Sequence, residues 1–68
     1  MEEVKRLFKL AVTLADVLGE QIDRITVETL MDIDPNGDTE VVGYEAQLEL
    51  ANGRMYSISD AYGIEVVS

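Results

Sequence analysis

Asp32-Ile33-Asp34-Pro35-Asn36-Gly37-Asp38-Thr39-Glu40 is the stretch on which the fold turns. Pro35 presets the backbone for a turn, Asn36-Gly37 tolerates a left-handed conformation, and the carboxylates keep the loop in water. The same residues carry a second spacing. Asp32, Asp34, Asn36, Asp38 and Glu40 fall at positions 1, 3, 5, 7 and 9 of the helix-loop-helix calcium motif, with Gly37 at position 6 and the Asp38 carbonyl as the position-7 ligand. The departures are several. Position 12 holds Gly43 instead of a bidentate glutamate, Glu45 comes two residues late, Pro35 sits at position 4, and Thr39 takes an apolar position. A hairpin turn accounts for every residue of the stretch, and a weak calcium site accounts for five of them.

The flanks alternate as strands do. Ile25, Val27, Thr29, Met31 and Ile33 share one face, and Thr26, Glu28, Leu30 and Asp32 the other. Beyond the turn, Val42, Tyr44, Ala46, Leu48 and Leu50 alternate with Val41, Gly43, Glu45, Gln47 and Glu49, the pattern of a half-buried antiparallel strand. Strands are therefore predicted over residues 23–33 and 40–50. Asn52-Gly53 then marks a tight hairpin. A third strand follows over 54–59 with Tyr56 and Ile58 inward, and a short edge strand over 64–67 after the turn at Asp60–Gly63.

Working outward to the start of the chain, Val4, Leu7, Phe8, Ala11, Leu14, Ala15 and Leu18 recur at three- and four-residue steps, widened by Leu10 and Val17. That is an amphipathic helix over residues 2–18, with Val12 as an apolar exception on its polar side. Glu2 and Glu3 complement the positive end of its dipole, and Gly19 stops it. The predicted fold is α+β: one N-terminal helix packed on a three- to four-stranded antiparallel β-meander, forming a single domain over residues 1–68.

Composition narrows the chemistry. A chain of 68 residues buries only about 60% of its unfolded surface, and with no cysteine it has no disulfide to add. Self-association or complex formation is expected to supplement such a core. Net charge is −9, and all of it lies beyond residue 19, where eleven acids meet only Arg24 and Arg54. Polyanionic partners, nucleic acid and anionic membrane, are disfavoured by this balance; a basic protein surface is favoured. No apolar run is long enough to span a bilayer, and the acidic start Glu2-Glu3 reads as a cytoplasmic chain. Histidine is absent, Ser57 and Ser59 lack a base to activate them, and no glycine-rich phosphate loop is present. The expectation is a protein that is not an enzyme and carries no cofactor other than the calcium considered above.

With the helix on one side, strand parity places Glu28, Leu30, Asp32, Glu45, Gln47, Glu49 and Met55, together with Val41, on the open face of the sheet. Carboxylates with apolar residues set among them suit a partner-binding surface. The function expected is that of a small inhibitor, of phage anti-defence or bacterial immunity type, which mimics nucleic acid on a basic protein cleft. The alternatives are a dimerising structural or regulatory domain, joined through a sheet edge or through Val12 and Val17, and a weak calcium module.

The layout also carries a family likeness. The helix and glycine break, the long hairpin, Gly43-Tyr44-Glu45-Ala46-Gln47-Leu48-Glu49-Leu50, Asn52-Gly53, Tyr56-Ser57-Ile58 and the closing Asp60-Ala61-Tyr62-Gly63-Ile64-Glu65-Val66 resemble PepSY-type domains. Ile64 between the glycine and Glu65 departs from that pattern. The resemblance implies a non-enzymatic module associated with peptidase inhibition or regulation, and it assigns no functional residue.

Overall fold

The computed structural model describes residues 2–68. Helix α1 spans Glu2–Leu18, followed by strands β1 (Ile22–Ile33), β2 (Thr39–Leu50), β3 (Met55–Ser59) and β4 (Gly63–Val66). The strands form one antiparallel sheet in the order β1-β2-β3-β4 with α1 packed on one face, the α+β meander that the periodicities predict. The strand limits differ from the predicted ones by a single residue at a few ends.

The glycine break works as anticipated. Gly19 takes a φ of 70°, its N–H donates to the Asp16 carbonyl and the Glu20 N–H to the Ala15 carbonyl, both at 3.1 Å. This paired closure satisfies two carbonyls that would otherwise be orphaned at the helix end.

Leu7, Ala11 and Ala15 of α1 are buried against Ala46, Leu48 and Leu50 of β2 and Ile58 of β3. Ile25, Val27, Tyr44 and Tyr56 pack around the margin with Leu14. The two helix alanines, facing Ala46, let α1 lie close over β2. The helical stripe is narrower than its sequence suggests. Phe8, Leu10, Val17 and Leu18 are 50%, 41%, 77% and 42% exposed, because a single helix lying on a sheet buries only the stripe that faces the strands and leaves both of its flanks in solvent.

Two register shifts interrupt the β1–β2 ladder, one between Ile22 and Arg24 and one between Leu30 and Met31. At the second, Leu30 opposes Gly43 and Met31 opposes Val41, so Val42 is the additional residue. A bulge reverses parity beyond it. Val41, assigned by alternation to the open face, is thereby moved to the helix side opposite Met31. Glu40 moves the other way and opposes Asp32.

The hairpin of β1 and β2 outruns the helix. The molecule measures 45 × 25 × 17 Å, and Met31, Ile33, Val41 and Val42 near the hairpin tip are all at least half exposed.

Candidate functional site: the uncovered sheet face

The face opposite α1 is assembled by register. Arg24 opposes Glu49, which opposes Met55; Thr26 opposes Gln47, then Ser57, then Glu65; Glu28 opposes Glu45, then Ser59. Beyond the bulge, Asp32 opposes Glu40. Directly opposed side chains share a face, so six carboxylates, those of Glu28, Asp32, Glu40, Glu45, Glu49 and Glu65, stand on one surface with Arg24 as the basic residue.

Arg24 is committed to Glu49, its Nε donating to Oε2 at 2.8 Å, and this hydrogen bond holds the guanidinium above its ordinary pKa. Glu45 accepts a hydrogen bond from the Ser57 hydroxyl. Glu28 and Glu40, both exposed, have no cationic partner among the described residues. The other ion pair among those residues, Arg6 with Asp60, ties α1 to the β3–β4 turn.

All seven partner-binding candidates reach this face. Glu28, Leu30 and Asp32 come from β1, Glu45, Gln47 and Glu49 from β2, and Met55 from the start of β3. Glu40, Glu65 and Arg24 join them and are not among the sequence-derived candidates. Arg24 has the parity of Thr26 and Glu28 and was legible on that ground. Glu65 needed the pairing of β4 with Ser57, and Glu40 needed the bulge.

Around Asp32–Glu40 the side chains serve the turn. The Asp34 carboxylate accepts the Asn36 and Asp38 N–H groups, both at 2.9 Å, while the Asp34 N–H donates to the Asp38 carbonyl. Gly37 takes a φ of 88° and closes the turn by donating to the Asp34 carbonyl. Asp32 and Glu40 lie on the strands, so the five residues of the calcium spacing are divided between ladder and turn. Among the described residues no three Asp or Glu side chains are gathered in ligating geometry.

Two grooves lie elsewhere. One is lined by Val12, Ala15, Asp16, Glu20, Gln21 and Ile22, another by Leu18, Glu20, Leu50, Asn52, Arg54 and Tyr56. No residue of the acidic face lines either of these two grooves. No family model, curated protein or solved structure matches this chain. The likeness to PepSY-type domains thus stays with the motifs that suggested it. Among the described residues no helix is long and apolar enough to cross a membrane.

Proposed function

We propose that this protein is a non-enzymatic interaction module whose acidic sheet face docks on a basic surface of another protein. The form we favour is an inhibitor, of phage anti-defence or bacterial immunity type, that covers a nucleic-acid-binding cleft by presenting carboxylates where phosphates would lie. One observation carries the reading. Glu28 faces Glu45 and Asp32 faces Glu40 across the same ladder, on a face that among the described residues no helix or further strand covers. Like charges directly opposed destabilise a sheet, and a cationic partner would convert that cost into attraction. Leu30 and Met55, half-buried among the acids, supply apolar contact.

The test is affinity capture from the native host at low salt, followed by binding measurements with the captured protein. Affinity should fall steeply between about 50 mM and about 1 M salt, since exposed charge pairs are screened over that range. The substitutions Glu28→Gln and Glu45→Gln should weaken it, and an oligonucleotide should compete for the same cleft. Equal affinity at both salt concentrations would rule the proposal out.

A further inference from the structure

The second feature of note is an edge, separate from the acidic face. β1 lies at the margin of the sheet, packs on β2 along one side and on α1 above, and meets no element along its other side among the described residues. An edge strand of this length presents a row of unpaired N–H and C=O groups, which folded proteins ordinarily blunt with charged side chains (lysine above all), proline or irregular backbone. The charges of β1 are of both signs, so that they can pair with a copy of themselves. Ile22–Ile33 contains neither lysine nor proline, and its own ladder irregularity is confined to Asp23. From Arg24 to Leu30, where the second register shift falls, the edge is regular.

We infer that this edge pairs with the same edge of a second copy, antiparallel, about a two-fold axis passing through Thr26. The charges select that register. With Thr26 opposite its own counterpart, Arg24 of each copy faces Glu28 of the other, twice, and Ile25 faces Val27. Moving the axis to Glu28 would bring Arg24 to Asp32 but set Glu28 against Glu28, and moving it to Arg24 would oppose two guanidiniums. Cross-strand pairs of opposite charge stabilise a sheet, and like pairs destabilise it. The pairing also relieves a conflict within each chain: Glu28, opposed on one side by Glu45, gains a cation on the other.

The surface above the edge fits a copy of itself. Val12 and Ile22 line the groove between α1 and the start of β1 and are 40% and 39% exposed; Phe8, one helical turn before Val12, is 50% exposed. α1 sits over β2, so two copies joined at β1 would hold their helices about three strand spacings apart, roughly 14 Å. Close helix packing is about 8–10 Å, and Phe8 and Val12 from both copies occupy the difference. The acidic faces of the two copies then lie on one side of a continuous eight-stranded sheet.

The register can be tested because the chain has no cysteine. Thr26→Cys should form a disulfide-linked dimer on mild oxidation, since opposed residues of an antiparallel pair stand about 4.5–5.5 Å apart at Cα, within disulfide range. Thr29→Cys, displaced from the axis, should stay reduced. Sedimentation of the purified native chain should show a concentration-dependent dimer. Arg24→Glu and Glu28→Arg, both at exposed positions, should each weaken self-association about tenfold, through two lost and two repulsive pairs. Mixing those two variants should restore a dimer, because each then supplies the charge that the other lacks.

A chain that sediments as a monomer up to millimolar concentration would overturn the inference, as would Thr29→Cys linking faster than Thr26→Cys. So would occupation of this edge by a strand from a different protein. These measurements use purified protein without any partner, so their failure leaves the docking of the acidic face standing, and its failure leaves them standing.

Discussion

The β1–β2 hairpin has a near half beneath α1 and a far half beyond it, and the two halves share one sequence pattern. In the near half, Ala46, Leu48 and Leu50 are at most 2% exposed. In the far half Met31, Ile33 and, beyond the bulge, Val41 take the same side of the sheet and are 54%, 68% and 50% exposed. Alternation therefore sets which side a residue takes, and only a covering layer turns that side into a core. The near half is held by packing. The far half is held by its ladder and by the turn at Asp34–Asp38.

Substitution in the two halves should separate these forms of support. Leu48→Ala removes a fully buried side chain facing α1 and should cost about 2–5 kcal/mol of stability, enough to unfold much of a 68-residue domain. Ile33→Ala removes a comparable aliphatic group from the same side of the sheet and should change stability by no more than about 0.5 kcal/mol. Urea unfolding followed by circular dichroism measures both. Native-state amide exchange sharpens the contrast: the Leu48 amide should exchange only with global unfolding, and the Ile33 amide through local opening of the arm. Similar losses from the two variants would mean that the arm is covered in solution.

The two hairpin turns extend the comparison. Gly37 at the far tip and Gly53 at the near turn hold φ of 88° and 90°, and an added Cβ would meet nothing within 4 Å at either. Alanine therefore introduces backbone strain without a clash, about 1–2 kcal/mol in the left-handed region. The readouts should differ. Gly53 donates to the Leu50 carbonyl and the Leu50 N–H to Arg54, so Gly53→Ala acts on a buried core residue and should lower the global unfolding midpoint. Gly37→Ala should mainly accelerate exchange at the tip, where Asp34 already makes the local bonds.

Much of this plan was legible in the chain. The helix over residues 2–18 ends where Gly19 says it must, and outside the bulge at Val41-Val42 the strands have the inward residues that their period-two pattern names. Three matters were hidden. The far-half bulge falls at Val41-Val42, where two adjacent β-branched apolar residues fit either face equally well, so nothing in the pattern marks the change of parity. Its consequence lies on the candidate face, which loses Val41 and gains Glu40. The second was the extent of cover. Phe8, Leu10, Val17 and Leu18 satisfy helical spacing, yet periodicity has no term for how much of the helix the sheet below covers. Arg24–Glu49 depended on strand register, and a spacing of 25 residues along the chain does not announce it.

Glu28 and Glu45 sit where the near half gives way to the far half. Glu28→Gln removes one charge from an opposed pair on an uncovered surface and should stabilise the isolated domain by about 0.2–0.5 kcal/mol, less at high salt. Thermal unfolding at two salt concentrations measures it, on protein dilute enough to be monomeric so that the Arg24–Glu28 pairs inferred across the dimer do not contribute. The sign separates two roles of the residue: the same change that stabilises the domain should weaken its binding to a basic partner. A loss of stability would show instead that Glu28 supports the junction of the two halves.

The smallest effect belongs to the near end, where Arg6 ties α1 to Asp60, while among the described residues the far arm has no such tie to the helix. The Arg6 Nη1 donates to Asp60 Oδ1 at 2.8 Å, and this hydrogen bond holds the Asp60 carboxyl below its ordinary pKa of 3.8. A depressed carboxyl stabilises the fold at pH values above its unfolded pKa, and that contribution disappears as pH falls through the depressed value. Glu3 has the opposite sign. Its hydrogen bond with Asp60, reinforced by loss of hydration, raises it above 4.5, so its contribution is present in acid and is lost as pH rises through the raised value. Asp60→Asn should therefore lower the melting temperature at neutral pH, with the deficit closing as the wild type is taken below pH 3.8. Glu3→Gln should raise it slightly at neutral pH and leave it unchanged in acid. Asp60 is exposed and Glu3 is half-buried at the surface, so concentrated salt should shrink each difference. A deficit in Asp60→Asn that persists unchanged into acid would mean that Asp60 acts by shaping the β3–β4 turn, and the tie between helix and sheet would then rest on packing alone.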